Sequence, residues 1–214
     1  MKERIGIFGG TFDPIHYGHL RSAEEIRERF DLGKVIFVPP FVHPLKSGDG
    51  AASARHRIEM ARLAVQGNPA FDVSDFEVGR GEVSYTVVTL DHFREKYPSA
   101  ELFFILGMDG WLEITSWYRY HRLFEQAHIV VHSRPGYPFK GPEEVLPGEM
   151  ASKFSYRGES YKHQSGKNLW FIPVTDLKVS ATEIRRRRSE GKSIRYLLPP
   201  QVLEFIEKHN LYAR

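Results

Sequence analysis

The sequence contains no cysteine. That excludes structural disulfides, thiolate metal sites and a cysteine nucleophile. It also lacks any apolar run near the ~20 residues that cross a bilayer. Its opening, Met1 to Phe8, has no long apolar segment of the signal-peptide kind. A cytoplasmic protein with no membrane partner is expected. No internal repeat or linker breaks the chain. Any excess of one sign of charge is small too: 30 Lys and Arg stand against 27 Asp and Glu, a net of +3. That balance suits an anionic ligand, but dispersed charge mostly solvates a surface.

What is present is a chain of 214 residues, 41% hydrophobic, enough for one domain over 1–214 with a sizeable core. Short apolar runs alternate with amphipathic stretches. Arg4 to Phe8 reads as a buried strand, and Gly18 to Phe30 as a helix with Leu20, Ala23, Ile26 and Phe30 on one face. Val35 to Val38 is a strand stopped by Pro39-Pro40, and a helix follows at about Ala54 to Gln66. Short strands are expected near Phe71 to Val78. Ser84 is placed as the N-cap of a helix carrying Val87, Leu90, Phe93 and Tyr97. Leu102 to Leu106 is apolar without alternation, as in a strand covered on both faces. Short helices around Trp111 to Gln126, a strand at His128 to His132, a last strand at Leu169 to Ile172 and two closing helices complete the order. Pro199-Pro200 opens the second of them.

This pattern implies βαβ units and an α/β fold, a doubly wound parallel sheet with helices on both faces. Ligands then bind at the carboxyl ends of the strands. A core over 1–178 and a small C-terminal helical part over 179–214 are expected. The stretch 135–167, rich in Gly, Pro, Ser, Lys and Glu, breaks the pattern; a surface insertion is favoured over a lid.

Gly9-Gly10-Thr11-Phe12-Asp13-Pro14-Ile15-His16-Tyr17-Gly18-His19 follows the first strand directly. The glycines permit close approach of a ligand to the backbone. His16 and His19, three apart, fall on one side of a helix N-terminus, where two donors and free N–H groups form a phosphate site. The loop has neither the Lys-Ser/Thr ending of a Walker loop nor the G-x-G-x-x-G of a hydride-transfer fold. Metal ligation by the histidines lacks a third ligand nearby. A second constellation is Val179-Ser180-Ala181-Thr182-Glu183-Ile184-Arg185. Ser180 and Glu183 have capping-box spacing. Ser180, Thr182 and backbone N–H groups can cradle an anion within reach of Arg185. Arg186, Arg187 and Arg188 point to different sides of the helix and are assigned to solvent.

His16-Tyr17-Gly18-His19 resembles the HxGH signature of the nucleotidylyltransferase superfamily, and Val179 to Arg185 its ISxTxIR motif, with valine replacing isoleucine. The longer string Gly9 to His16 resembles the bacterial nicotinate mononucleotide adenylyltransferases. The likeness extends to Lys208-His209-Asn210-Leu211-Tyr212 and implies a Rossmann-like nucleotidylyltransferase fold. It implies that His16, His19, Lys46 and Arg185 act on phosphates, with Gly9, Gly10, Thr11, Phe12, Gly18, Ser180 and Thr182 around ATP. Lys46 comes from Pro39 to Lys46, a spaced-out form of the family's P-x-x-x-P-P-H-K region. The segment Ala54 to Met60 also resembles the family, with its charges read as surface.

On the substrate side, the N–H groups of Tyr85 and Thr86, at the helix start next to Ser84, suit a carboxylate; the resemblance gives this position to nicotinate. Asp109 ends the most apolar strand. It is either the ribose-binding carboxylate that the resemblance implies or an N-cap for a helix from Gly110. Trp117 and Trp111 compete for a stacking role on the pyridine ring. Arg134, in Ser133-Arg134-Pro135-Gly136, is either structural or near the substrate phosphate. The implied reaction joins ATP and nicotinate mononucleotide, giving deamido-NAD and pyrophosphate in NAD biosynthesis. Mg²⁺ would be carried on the ATP phosphates, with no metal ligands from the chain. Preference for the amide mononucleotide is the alternative, and a basic RNA-binding protein the rival of another class; no nucleic-acid partner is expected. A homo-oligomer is left open.

Overall fold

A computed structural model describes residues 2–42 and 52–213. The chain runs through β1 (Arg4–Gly9), α1 (Tyr17–Phe30), β2 (Lys34–Val38), α2 (Ala54–Val65), β3 (Phe71–Val73), α3 (Phe76–Arg80), α4 (Thr86–Lys96) and β4 (Glu101–Gly107). It continues through α5 (Met108–Leu112), two 3₁₀ turns, α6 (Leu123–Gln126), β5 (His128–His132), α7 (Pro142–Val145) and α8 (Gly148–Ala151). β6 (Phe154–Tyr156), β7 (Tyr161–His163), β8 (Asn168–Ile172), α9 (Ala181–Ser189) and α10 (Pro200–Lys208) complete it.

All eight strands join one sheet in the order β3-β2-β1-β4-β5-β8-β7-β6. The six strands from β3 to β8 in that order are parallel. β7 and β6 add on antiparallel. The stretch 135–167 folds as two one-turn helices and a hairpin that extends the sheet edge. Its three-residue strands are too short to show a period in the sequence. Phe71 to Val78 also departs from expectation, because only Phe71–Val73 is strand and a helical turn starts at Phe76.

The apolar runs lack alternation because both sheet faces are covered. Ile5, Ile7, Leu102, Phe104, Leu106, Ile129 and Val131 enter one core, with Val87, Leu90 and Phe93 of α4 and Trp111 of α5. Phe8, Phe103, Ile105 and Val130 enter the other, with Ala23 and Ile26 of α1, Ile184 of α9, and Val202 and Ile206 of α10. The chain moves from β1 outward to β2 and β3, then returns to pair β4 on the other side of β1. That reversal leaves a crevice above the carboxyl ends of β1 and β4. No helix among the described residues is long and apolar enough to cross a membrane.

Candidate active site

The loop leaving β1 packs before it binds anything. Phe12, buried at φ 50°, sets its ring edge-on to Phe8 and His19, at 5.7 and 5.1 Å between centroids. Arg57 then fixes the loop from below. Its buried guanidinium donates to the carbonyls of Thr11 (3.1 Å), Pro40 (2.7 Å), Phe41 (3.1 Å) and Ala52 (3.3 Å). The charges of Ala54 to Met60 are therefore not all surface charges: a buried arginine needs its donors paired, and this one finds four carbonyls on two loops.

His16 is the N-cap of α1, and its N–H donates to His19 Nδ1 at 3.2 Å. The rings stack at 3.8 Å and 25°. A Cβ on Gly18 would lie 3.0 Å from the His16 ring, so glycine is what admits this stack. Burial, then the Arg134 charge, pushes His16 down to about 3. Burial, then the charges of His16, Arg134 and His132, holds His19 well below the usual imidazole range. Both rings are neutral near pH 7. Because His19 Nδ1 accepts, its proton sits on Nε2. Neither ring nitrogen of His16 has a partner among the described residues, although both are buried. Each such atom costs about 1–3 kcal/mol, which a bound ligand would offset. The backbone contributes less than expected here: the N–H groups of Tyr17 and His19 go to Leu197 O and His16 O.

α9 begins beside α1; the Val179 carbonyl lies 3.6 Å from the position of a Cβ on Gly18. Ser180 Oγ caps α9 by accepting from the Glu183 N–H at 3.2 Å. The other half of the capping box is diverted, because the Glu183 carboxylate accepts from Arg186 at 2.7 and 2.9 Å. Arg186 also reaches Glu190, and Arg187 lies 3.9 Å from Glu183, so much of the arginine run is neutralised at the surface. Arg185 points the other way. Its Nη1 donates to the Asp13 carbonyl at 2.7 Å, and its Nη2 lies 3.5 Å from Thr182 Oγ1.

At the other end, β4 stops at Gly107, where a Cβ would sit 2.5 Å from Asp109 Oδ1 and 2.7 Å from Arg134 Cδ. Asp109 Oδ2 accepts from Arg134 Nη1 at 3.0 Å. Asp109 is not an N-cap, since α5 starts at Met108 with Gly107 as its cap. The two tryptophans separate cleanly. Trp111 is fully buried, its Nε1–H donating to Lys140 O at 2.8 Å. Trp117 lines the cleft, edge-on to Phe104. Ser84 does not cap α4; Tyr85 does, with φ −112° and ψ 124°. The Ser84 hydroxyl instead accepts from the Phe41 N–H at 3.0 Å, tying α4 to the loop after β2.

One continuous cleft of ≈1570 Å³ joins these parts. Gly9, Gly10, Thr11, Phe12, His16, Gly18 and His19 line it, with Ser180, Thr182 and Arg185, and with Ser84, Tyr85, Thr86, Asp109, Trp117 and Arg134. Lys46 lies outside the described residues. Asp13 and His132 also line the cleft and were missed by sequence reasoning. His132 ends β5, so the strand-end rule that singled out Asp109 could have found it. Burial lowers it to about 4, against the raising effect of its bond to Ser133 O at 3.0 Å.

Comparison with known proteins points the same way. The cytidylyltransferase-like family matches residues 7–187. The chain is 44% identical to a "Probable nicotinate-nucleotide adenylyltransferase" of Geotalea daltonii, over 98% of each chain. It is 43% identical to one of Desulfatibacillum aliphaticivorans, over 98% of this chain and 99% of that one. In fold it resembles Plasmodium falciparum nicotinic acid mononucleotide adenylyltransferase complexed with NaAD. The TM-score is 0.76 at 21% identity, covering 98% of this chain and 97% of that one.

Proposed function

The chain belongs to the cytidylyltransferase-like family, and we propose that it joins ATP and nicotinate mononucleotide, giving deamido-NAD and pyrophosphate. The reading rests on one observation above the others: the starts of α1 and α9 face a shared cleft, with buried His16 ring nitrogens that have no partner among the described residues.

The mononucleotide phosphate oxygen attacks the α-phosphorus of ATP, the bond to the β-phosphate oxygen breaks, and pyrophosphate leaves in line. No protein nucleophile is needed, so catalysis is positioning and charge stabilisation. His19 donates from Nε2 and His16 from its protonated ring nitrogen to ATP phosphate oxygens. Both act as neutral donors. Arg185 supplies fixed positive charge toward the leaving group, with Lys46 assigned the same task. Gly9 to Phe12, Gly18, Ser180 and Thr182 surround the nucleotide. Among the described residues no group of three His, Asp or Glu could hold a metal. A Mg²⁺ ion would therefore be held mainly by phosphate oxygens and water, and would add charge neutralisation there.

For the mononucleotide, Asp109 accepts from ribose hydroxyls, Trp117 stacks on the pyridine, and Arg134 holds Asp109 in place. The start of α4 favours the acid over the amide, since the Tyr85 and Thr86 N–H groups meet a carboxylate better than a carboxamide. A pyrophosphate-release assay with ATP and each mononucleotide tests this: turnover with the acid should exceed that with the amide. Equal rates would overturn the acid preference, and no release with either would overturn the reaction.

A further inference from the structure

Asp13 is buried beside the cleft, yet it is not itself placed to contact a phosphate group usefully, since like charges repel. Its surroundings indicate another task. The Asp13 carboxylate accepts from the Ala52 N–H at 3.1 Å and from the hydroxyl of Tyr212, near the far end of the chain. Its carbonyl accepts from Arg185 at 2.7 Å, and its Oδ2 lies 4.0 Å from the same guanidinium. Arg57 holds the neighbouring Thr11 carbonyl. Three distant parts of the sequence thus meet on one buried aspartate, which is only 5% exposed.

We propose that Tyr212 is a positioning residue for Arg185: its hydroxyl fixes the Asp13 carboxylate, and Asp13 in turn aims the guanidinium at the ATP phosphates. This rests on the adenylyltransferase reading above.

The physical case has three parts. Arg185 is about one-third exposed, and Asp13 meets its head twice: the backbone carbonyl accepts from Nη1 at 2.7 Å, and the carboxylate Oδ2 lies 4.0 Å from the same nitrogen. A buried carboxylate is well placed only when its oxygens are satisfied, and Tyr212 supplies a neutral donor that leaves the charge available to Arg185. Burial and the Asp13 charge both raise the Tyr212 phenol above its ordinary range, so it remains a donor throughout the working pH.

The experiment is a double-mutant cycle with full-length enzyme, reading pyrophosphate release from ATP and nicotinate mononucleotide. Tyr212→Phe removes only the hydroxyl and should lower kcat about tenfold, as loss of a hydrogen bond to a charged group does. KM for the mononucleotide should stay at the wild-type value. In an Arg185→Ala background the same change should have little further effect, because both act through one group. Asp13→Asn, which keeps the shape and removes the charge, should repeat both results if Tyr212→Phe folds poorly. Wild-type kcat in the phenylalanine variant, or full additivity with Arg185→Ala, would overturn the proposal. An inactive wild-type enzyme would instead overturn the reaction on which it rests.

Discussion

The two ends of the cleft are built from different materials. The end proposed for the phosphates is made of glycines, stacked neutral imidazoles and a guanidinium tied to a buried aspartate. The end proposed for the mononucleotide is made of aromatic rings and a one-third-exposed ion pair between Asp109 of the short helix α5 and Arg134 of the loop after β5. In the proposed reaction the first end meets charge that develops as a bond breaks, where small displacements matter. The second would recognise a ground-state shape, which tolerates looser holding. The difference predicts that substitutions at the first end act on kcat and those at the second on KM.

The sharpest way to break this division is His19→Ala. It should lower kcat by about 10² to 10³ with the fold intact, the usual loss for one preorganised donor. Wild-type turnover would remove the histidine from the chemistry. Trp117→Ala should act at the other end, raising KM for the mononucleotide about tenfold while kcat moves less, in line with the value of one aromatic stack. A fall in kcat alone would blur the division. Thr86→Pro is a finer probe. Thr86 is the first residue of α4 and Tyr85 before it is extended, so proline fits there and deletes one N–H. The preference for the acid over the amide should shrink several-fold, the size of one charge-assisted bond; an unchanged ratio would take the carboxylate away from that helix start. Acid pH should act on the fold rather than on either end alone. His16 titrates at about 3, and His128 and His132 at about 4, each pushed down first by burial. The unfolded chain protonates these groups near pH 6.5, the folded one only below about 4. Stability is therefore full above about 6.5 and is lost as pH falls toward 3. The melting temperature should drop across that window and stay level above it.

Much of this was legible in the sequence because the signals were local. The unalternating apolar runs announced strands covered on both faces, and the string Gly9 to His19 carried both the loop and the family. Local signals also misled. Ser84 has the composition of an N-cap, but a bond from the Phe41 N–H claims its oxygen, and the helix begins one residue later. Glu183 has the spacing of a capping box, but two arginines compete for it and win. Trp111 and Trp117 are indistinguishable by spacing; the full burial of Trp111 and its bond to Lys140 O identify the core residue. The meeting of Asp13 with Tyr212 was out of reach altogether, since no period or motif links positions so far apart in the chain.

Arg57 ties the loop after β1 to the loop after β2 through carbonyls on both. The two lips of the cleft are thereby pinned to one rivet, so a push on either is felt by the other. A lysine in its place, with a single nitrogen, could not span the gap that the forked guanidinium bridges.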